Sequence, residues 1–258
     1  MNKEDSISFN RYINNGPDDV VWKPIRTDEE KKLFLSLIAN VEESLKSNSK
    51  KQKGDALEAL MTFVYDRFEC AVVYPNVLQG DNQIDHLIVF ADGTTPTFIH
   101  NHIGLRIIGE SKNHQKSIDV REVADLAELL RSKRARLGIF SSVKTFSRGK
   151  QNNFWQFAEG KRRKLALARN EYIIGFTLEE IKSLVHNNFY TLLRQKYFNL
   201  VDEINDDYIE YMDDSNKYPY HVRLYNALEQ LWKNGIINEQ TFEEGRTAII
   251  KKYGPVDE

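Results

Sequence analysis

The chain has 258 residues, with 36 Lys and Arg against 38 Asp and Glu, and 41% of its residues are hydrophobic. This composition is typical of a folded globular protein and excludes a wholly disordered chain. The single cysteine, Cys70, excludes an intrachain disulfide and a cysteine-rich zinc site. No apolar run approaches the roughly 20 residues of a membrane-spanning helix, and the polar first ten residues contain no signal-peptide core. We therefore expect a cytoplasmic protein without a membrane partner.

Hydrophobic periodicity predicts helices and strands in a mixed order. The predicted helices of the first three quarters of the chain are Thr27–Ser47, Gly54–Phe68, Asp119–Arg134 and Gln151–Arg169. The predicted strands are Cys70–Leu78, Gln83–Ala91, Ile103–Lys112, Leu137–Val143 and Tyr172–Phe176. Strands that do not alternate strictly with helices indicate an α/β mixed-sheet sandwich flanked by helices, with a partly antiparallel sheet.

The C-terminal part of the sequence predicts helices alone. Residues 187–212 are expected to form one long helix, and residues 220–252 a helical hairpin broken at Asn234-Gly235. We accordingly divide the chain into an N-terminal extension with one helix (1–49), a core (50–187) and an all-α C-terminal extension (188–258).

Charged residues interrupt two of the apolar strands. Glu110 and Lys112 are two residues apart, so their side chains leave the same face of a strand. Asp85 lies between apolar residues on the preceding strand, and a buried charge is costly without a partner or a metal. If Asp85 meets Glu110, two hard oxygen ligands suit Mg²⁺, with the carbonyl of Ser111 as a third. Lys112 would then orient the attacking water or help to deprotonate it.

The order Asp85…Glu110-Ser111-Lys112 resembles the PD-(D/E)xK signature of restriction-endonuclease-like nucleases, and within that superfamily the Mrr-like and nuclease-related-domain groups. The similarity includes the Gly54-to-Glu58 pattern and the string from Gln83 to Leu87. It covers roughly residues 50–187. It implies a restriction-endonuclease-like core, an endonuclease that cleaves DNA in restriction or anti-phage defence, Mg²⁺ as cofactor with Mn²⁺ able to substitute, and a catalytic or metal-binding role for Glu58.

Other interpretations of the same residues stay open. The two carboxylates and Lys112 could form a surface salt bridge, and His100 and His102, with two further histidines, could hold a transition metal. The fold could also serve as a catalytically silent nucleic-acid-binding module, or as an effector that cleaves RNA. A scaffold built on the C-terminal helices is a further alternative.

A basic segment follows the candidate catalytic strand. Residues 131–164 contain eleven Lys and Arg and one acid, Glu159, whereas residues 201–214 contain seven acids and no base. Such a segment predicts sequence-independent contacts to DNA phosphates, with RNA as the other nucleic-acid partner. Its alternative is a solvated helix face. The candidate nucleic-acid-binding residues are Lys144, Arg148, Lys150, Arg162, Arg163 and Lys164, together with His114.

The end of the chain, residues 228–254, resembles the short helical C-terminal modules of the SHOCT type. This resemblance implies a role in forming a homodimer or higher oligomer. The alternative is a C-terminal helical pair that packs on the main domain.

Overall fold

One five-stranded β-sheet forms the centre of the first of two units of the chain, Met1–Asp206 and Asp207–Glu258. The computed structural model describes residues 17–79, 82–93, 95–148, 156–202, 220–233, 235 and 237–253. The helices of the first unit are α1 (Pro17–Val21), α2 (Asp28–Ser44), α3 (Lys50–Tyr65), α4 (Val120–Lys133), α5 (Ala158–Arg169), α6 (Leu178–Lys182) and α7 (Phe189–Val201). The strands are β1 (Ala71–Gln79), β2 (Asn82–Phe90), β3 (Arg106–Lys112), β4 (Leu137–Ser142) and β5 (Tyr172–Thr177).

The sheet is mixed, as the sequence predicts. Its strand order is β1-β2-β3-β4-β5, in which β1, β2 and β3 pair antiparallel and β3, β4 and β5 pair parallel. Helices α2, α3 and α7 bury their apolar sides on one face, and α4 and α5 cover the other. A fully buried Leu or Ile contributes roughly 1.5–3 kcal/mol, so these two layers supply the main stabilisation of the unit. The predicted α/β class with a mixed sheet flanked by helices is confirmed.

Local signals in the sequence fix where two of the helices begin. The Thr27 side chain caps α2 by accepting the N–H of Glu30, and the Glu30 carboxylate accepts the N–H of Thr27. Asp119 and Glu122 form the same reciprocal box at the start of α4. Each box satisfies backbone N–H groups that would otherwise lack partners, which holds the helix start in place.

Three predicted elements have different bounds in the structure. The third strand was expected from Ile103, but it starts at Arg106 because Ile99–Ile103 forms a π-helical turn that Gly104 ends at φ 76°. A left-handed glycine suits such a turn. The helix predicted over Gln151–Arg169 is α5, which starts at Ala158 after the N-cap residue Phe157, and residues 151–155 of the prediction lie outside the described part of the chain. Of the long helix predicted for residues 187–212, the structure describes α7, Phe189–Val201, and residues 203–212 lie outside the described part of the chain.

The second unit contains a helical hairpin, as predicted. It consists of α8 (Tyr220–Lys233) and α9 (Glu239–Tyr253). The rings of Trp232 and Phe242 stack with centroids 4.8 Å apart. Across the described residues of both units, no helix is long and apolar enough to cross a membrane.

Candidate active site

The strands β2 and β3 separate at the residue that carries the first candidate carboxylate. Their ladder runs from Val89 opposite Arg106 to His86 opposite Gly109. At the next residue, Asp85, the side chain replaces the backbone as the hydrogen-bond partner of β3. Its Oδ2 accepts a hydrogen bond from the N–H of Ser111 at 2.7 Å. In an antiparallel ladder the N–H and C=O of one residue point to the same side. The carbonyl of Ser111 therefore faces the gap that Asp85 occupies, and we call this gap the strand fork.

The sheet is also irregular on the other side of Asp85. By register, Asp85 lies opposite Asn76, which adopts a left-handed φ of 52°. Ile88 packs in the core on one face of the sheet, whereas Ile84, four residues away, packs in the core on the other. Residues an even number apart share a face of a regular strand, so the alternation shifts at Asp85. The local irregularity lies at the candidate metal ligand itself.

Glu110 and Lys112 leave β3 together, as the sequence predicts. The Nζ of Lys112 donates to Oε1 of Glu110 at 2.7 Å, with 16% of the Glu110 side chain and 29% of the Lys112 side chain exposed. The second oxygen of Glu110, Oε2, is buried and has no hydrogen-bond partner among the described residues. The ion pair thus leaves one carboxylate oxygen unsatisfied.

The charges at the strand fork shift one another's pKa. Burial, followed by the charge of Asp85, raises the pKa of Glu110 to about 7. Burial also raises the pKa of Asp85, against the opposing effects of the Ser111 N–H and Lys112. Burial alone would lower the pKa of Lys112, but Glu110 beside it raises that pKa, so the ammonium is retained. Two carboxylates therefore share a site that one ammonium compensates incompletely.

Glu58 approaches the same cluster from α3. Burial, then the charge of Asp85, raises its pKa, and its own charge acts on Glu110. A side-chain hydrogen bond from Asn76 opposes the rise in the Glu58 pKa. Glu58, Asp85 and Glu110 are therefore close enough to interact electrostatically, although they come from three different elements.

A hydrogen-bonded chain attaches α3 to β2 behind the carboxylates. The hydroxyl of Thr62 donates to the carbonyl of Glu58 at 2.9 Å and lies 2.8 Å from Nε2 of His86. Because that hydroxyl has one hydrogen, Nε2 must carry the proton and donate to Thr62. Burial lowers the pKa of His86 to about 4, so its ring is neutral. This chain fixes the backbone of Glu58 relative to the residue that follows Asp85.

Tyr65 packs on the sheet next to the fork. Its ring lies 5.2 Å from that of His86, and a Cβ added to Gly109 would come within 2.8 Å of its Cε2. Burial raises the pKa of its phenol, which neighbours Ser141 and Asp85. Among the described residues, the hydroxyls of Tyr65 and Ser141 are buried without a well-formed hydrogen bond. Unsatisfied polar groups are thus concentrated around the fork, which suits ordered water or an ion.

Sequence reasoning missed three residues of this surrounding shell: Asn76, Tyr65 and Thr62. A signal existed for Tyr65, because a glycine within an apolar strand, Gly109, marks close approach of another group. An Asn after Pro75 in a β-rich run is likewise a signal for a left-handed position. Thr62 gives no such signal, since its role depends on which helix face meets β2.

The predicted nucleic-acid-binding residues are dispersed. Lys144, Arg148 and Lys164 are exposed. Lys150 lies outside the described residues. The Nε2 of His114 lies 3.2 Å from Oε1 of Glu122, and the charge of Glu122 also raises the pKa of Lys112.

Arg162 and Arg163 both pair with Glu159 within the first unit. Arg162 is 1% exposed, and its Nε and Nη2 donate to the two oxygens of Glu159 at 2.8 and 2.9 Å. Its guanidinium also lies over the ring of Phe146. Arg163 donates to Glu159 at 2.8 Å with 11% of its side chain exposed. Arg162 is therefore withdrawn from the surface on which a phosphate would bind.

Two of the histidines considered for a transition metal, His100 and His102, lie apart from the fork. His100 and His102 belong to the π-helical turn, where His102 contacts Tyr197 at 3.4 Å and His100 faces Asp92 at 3.7 Å. Within the described ranges, no group of three or more His, Cys, Asp or Glu side chains is arranged to hold a metal ion.

The donors at the fork fit a different kind of cation site. Asp85, Glu110 and the carbonyl of Ser111 offer hard oxygens, and Mg²⁺ characteristically uses one or two carboxylates and keeps several waters. The unpartnered Oε2 of Glu110 and the raised pKa values of both carboxylates are what a divalent cation would relieve. Comparison with protein-family models, curated proteins and solved structures finds no match to this chain. Function must accordingly be inferred from the chemistry of the fork.

Proposed function

We propose that this protein is a metal-dependent phosphodiesterase of the PD-(D/E)xK restriction-endonuclease-like type, which cleaves DNA in restriction or anti-phage defence. The observation that carries the proposal is the meeting of Asp85, Glu110 and Lys112 at the strand fork, with Glu110 Oε2 buried and unpartnered. A structural ion pair of one acid and one base would not need the second carboxylate. A binding module would not need to bury it.

The fork residues divide the work of hydrolysis. Asp85, Glu110 and the Ser111 carbonyl would hold Mg²⁺ or Mn²⁺, with Glu58 as an additional carboxylate. When bound, the cation supplies charge neutralisation at the phosphate and lowers the pKa of a water molecule. Asp85 is held in position by the Ser111 N–H, so its orientation does not depend on the cation.

Lys112 serves as a fixed positive charge. Because Glu110 raises its pKa, Lys112 is better suited to act as a protonated donor than as the base that removes a proton from water. Its ammonium can donate to the attacking water and stabilise the negative charge that develops on the phosphate. Glu58, whose pKa is raised, is suited to take up the proton that this water releases.

Exposed Lys and Arg side chains of the basic segment would bind the phosphates of the DNA backbone. Lys144 follows β4, next to the strand that bears Glu110 and Lys112, and Lys164 lies on α5. Exposed Lys and Arg neutralise phosphates without reading sequence. Arg162, with its guanidinium engaged by Glu159, is left out of this surface.

The test is cleavage by the purified chain. Supercoiled plasmid, linear duplex DNA and RNA are incubated with Mg²⁺, Mn²⁺ or EDTA, alongside the Asp85→Asn and Lys112→Ala variants. We expect DNA cleavage that needs Mg²⁺ or Mn²⁺, stops with EDTA and is lost in both variants. Cleavage of RNA alone would assign the site to an RNA-cleaving effector. Binding of DNA without cleavage under any metal condition would assign the fold to a silent binding module.

A further inference from the structure

A cavity of about 540 Å³ lies at the end of the sheet opposite the strand fork. Its wall is formed where α4 and α5 end and where β4 and β5 begin. In register, Ile107 near the start of β3 lies beside the first residues of β4 and β5, whereas Lys112 is the last residue of β3. At about 3.3 Å per residue, the five steps from Ile107 to Lys112 separate the two places by roughly 17 Å. The cavity is therefore distinct from the candidate active site.

The wall of this cavity is rich in arginine. Arg131 is paired, since its Nε lies 3.2 Å from Oε1 of Glu171. Arg134, Arg136 and Arg169 also line the cavity and are exposed. Within the described residues, the side chains of these three make no hydrogen bond or ion pair. Three uncompensated guanidinium groups thus surround one space.

Complementing the helix dipole does not account for all of these arginines. A cation in the last turn of a helix is stabilising, and Arg131 and Lys133 already stand in the last turn of α4. Arg134 ends the same helix in the left-handed conformation, at φ 52°, where Gly or Asn is the usual residue. Its side chain bonds to no carbonyl of the described residues. Arg134 thus occupies a backbone conformation that is unfavourable for arginine, although its side chain makes no hydrogen bond or ion pair within the described residues.

We propose that this cavity binds a nucleoside phosphate. Arg134, Arg136 and Arg169 supply planar donors suited to phosphate oxygens. The Oε2 of Glu171, a residue of the cavity wall, is buried without a described partner, and rotation of the carboxylate toward the cavity would let it accept from a ribose hydroxyl or a base amino group. Tyr172 in the wall offers an aromatic ring for a base. The volume lies within the 300–1,000 Å³ typical of small-molecule sites.

The mixture of acceptor and donor groups decides between two phosphate sources. Inorganic phosphate or pyrophosphate would satisfy the arginines, but it would bring negative charge close to Glu171 and has no base to contact Tyr172. A nucleoside phosphate presents phosphate at one end and donors at the other. The proposal does not depend on nuclease activity, because its readout is binding alone.

Isothermal titration calorimetry of the full chain with ADP, pyrophosphate and inorganic phosphate tests the assignment. We expect saturable binding of one ADP per chain, with pyrophosphate at least about tenfold weaker. Arg136→Gln/Arg169→Gln should weaken ADP binding by about tenfold or more per arginine, the loss expected for a charge-assisted hydrogen bond. The control Lys32→Gln/Lys46→Gln removes the same charge from exposed positions outside the cavity wall and should bind ADP like the wild type.

Arg134→Gly is the second variant, because glycine suits the left-handed position and should preserve the fold; it should also weaken ADP binding about tenfold. Absence of ADP binding to the wild type, or equal ADP binding by wild type and both arginine variants, would overturn the proposal. Pyrophosphate binding as tight as ADP binding would overturn the nucleoside part. If the arginine variants lost affinity for duplex DNA while ADP gave no heat, the cavity would belong to a nucleic-acid path and the proposal would be wrong.

Discussion

The carboxylate of Asp85 accepts the backbone N–H of Ser111 at 2.7 Å, so a side chain of β2 occupies a position that a ladder carbonyl would normally take. Ser111 stands between Glu110 and Lys112 on β3. This single bond therefore fixes Asp85 relative to both charged neighbours, before any cation or substrate binds. The site is organised by the backbone of the sheet rather than by flexible loops, which favours a well-defined geometry.

Removing any one charge at the fork should abolish cleavage. Asp85→Asn, Glu110→Gln and Lys112→Ala should each lower the rate by roughly 10²–10⁴-fold, the range for loss of a positioned catalytic group. The measurement is single-turnover cleavage of labelled duplex DNA with Mg²⁺, with circular dichroism to show that each variant is folded. Glu69→Gln, at an exposed acid beyond the end of α3, is the control and should keep full activity. Full activity in a folded fork variant would exclude that residue from the reaction.

Glu110 should make the metal-free protein less stable as pH rises. Its folded pKa, about 7, lies above its ordinary value of 4.5, so the folded state holds the proton more tightly than the unfolded state. The stabilisation is complete below about pH 4.5 and is lost as pH rises through about 7. We expect Glu110→Gln to melt at a higher temperature than the wild type at pH 8 in EDTA, and the two proteins to converge at pH 4.5. Thermal melts across this range check it; a higher wild-type melting temperature at pH 8 would contradict the raised pKa.

Glu30 should have the opposite dependence on pH. Burial alone would raise its pKa, but the N–H groups of Arg26 and Thr27 and the guanidinium of Arg67 lower it to about 2. Its contribution is therefore present above about pH 4.5 and is lost as pH falls toward 2. Glu30→Gln should be less stable than the wild type at pH 7, and the difference should shrink at pH 3. Denaturant unfolding at the two pH values measures this, and an unchanged difference would show that Glu30 acts through its shape alone.

Gly109→Ala should destabilise the protein because the new methyl group would lie 2.8 Å from the buried Tyr65 ring. Overpacking of this kind costs roughly 1–3 kcal/mol. Gly54→Ala is the matched control, since its methyl group would be 3.4 Å from the nearest side-chain atom and alanine favours a helix by roughly 0.5–1 kcal/mol. Urea unfolding should therefore give changes of opposite sign. Equal stability of Gly109→Ala and wild type would mean that Tyr65 can move aside.

Substitutions of the exposed lysines of the basic segment should affect DNA binding, whereas substitution of the buried Arg162 should affect stability. Lys144→Glu/Lys164→Glu should weaken DNA binding to every sequence and flatten the salt dependence by roughly 0.9 in slope for each phosphate that is no longer neutralised. Arg162→Met should instead destabilise the protein by up to about 3–5 kcal/mol, because the buried carboxylate of Glu159 would lose its bidentate partner and keep only Arg163. Titration of labelled duplex at several salt concentrations, with a denaturation curve for each variant, separates the two effects. Unchanged affinity and slope in the lysine variant would identify those bases as a solvated face.

The sequence by itself determined the order and type of most elements. Capping residues such as Thr27 and Asp119, the apolar periodicity of the helices and the short β-rich runs are local signals, so they can be interpreted without knowing what packs on what. The spacing of Glu110 and Lys112 likewise determined that both side chains share a face, because that follows from the two-residue period of a strand.

Only the tertiary structure decided what surrounds those charges. The pairing of Asp85 with the Ser111 N–H requires β2 and β3 to be neighbours that separate at one residue, which no local pattern encodes. Arg162 was expected at the surface because it stands in a basic run, yet helical geometry places it one turn from Glu159 and over Phe146, and the buried pair is satisfied there. A charge run gives the charge of a segment but not its exposed side, since exposure depends on contacts between residues distant in sequence.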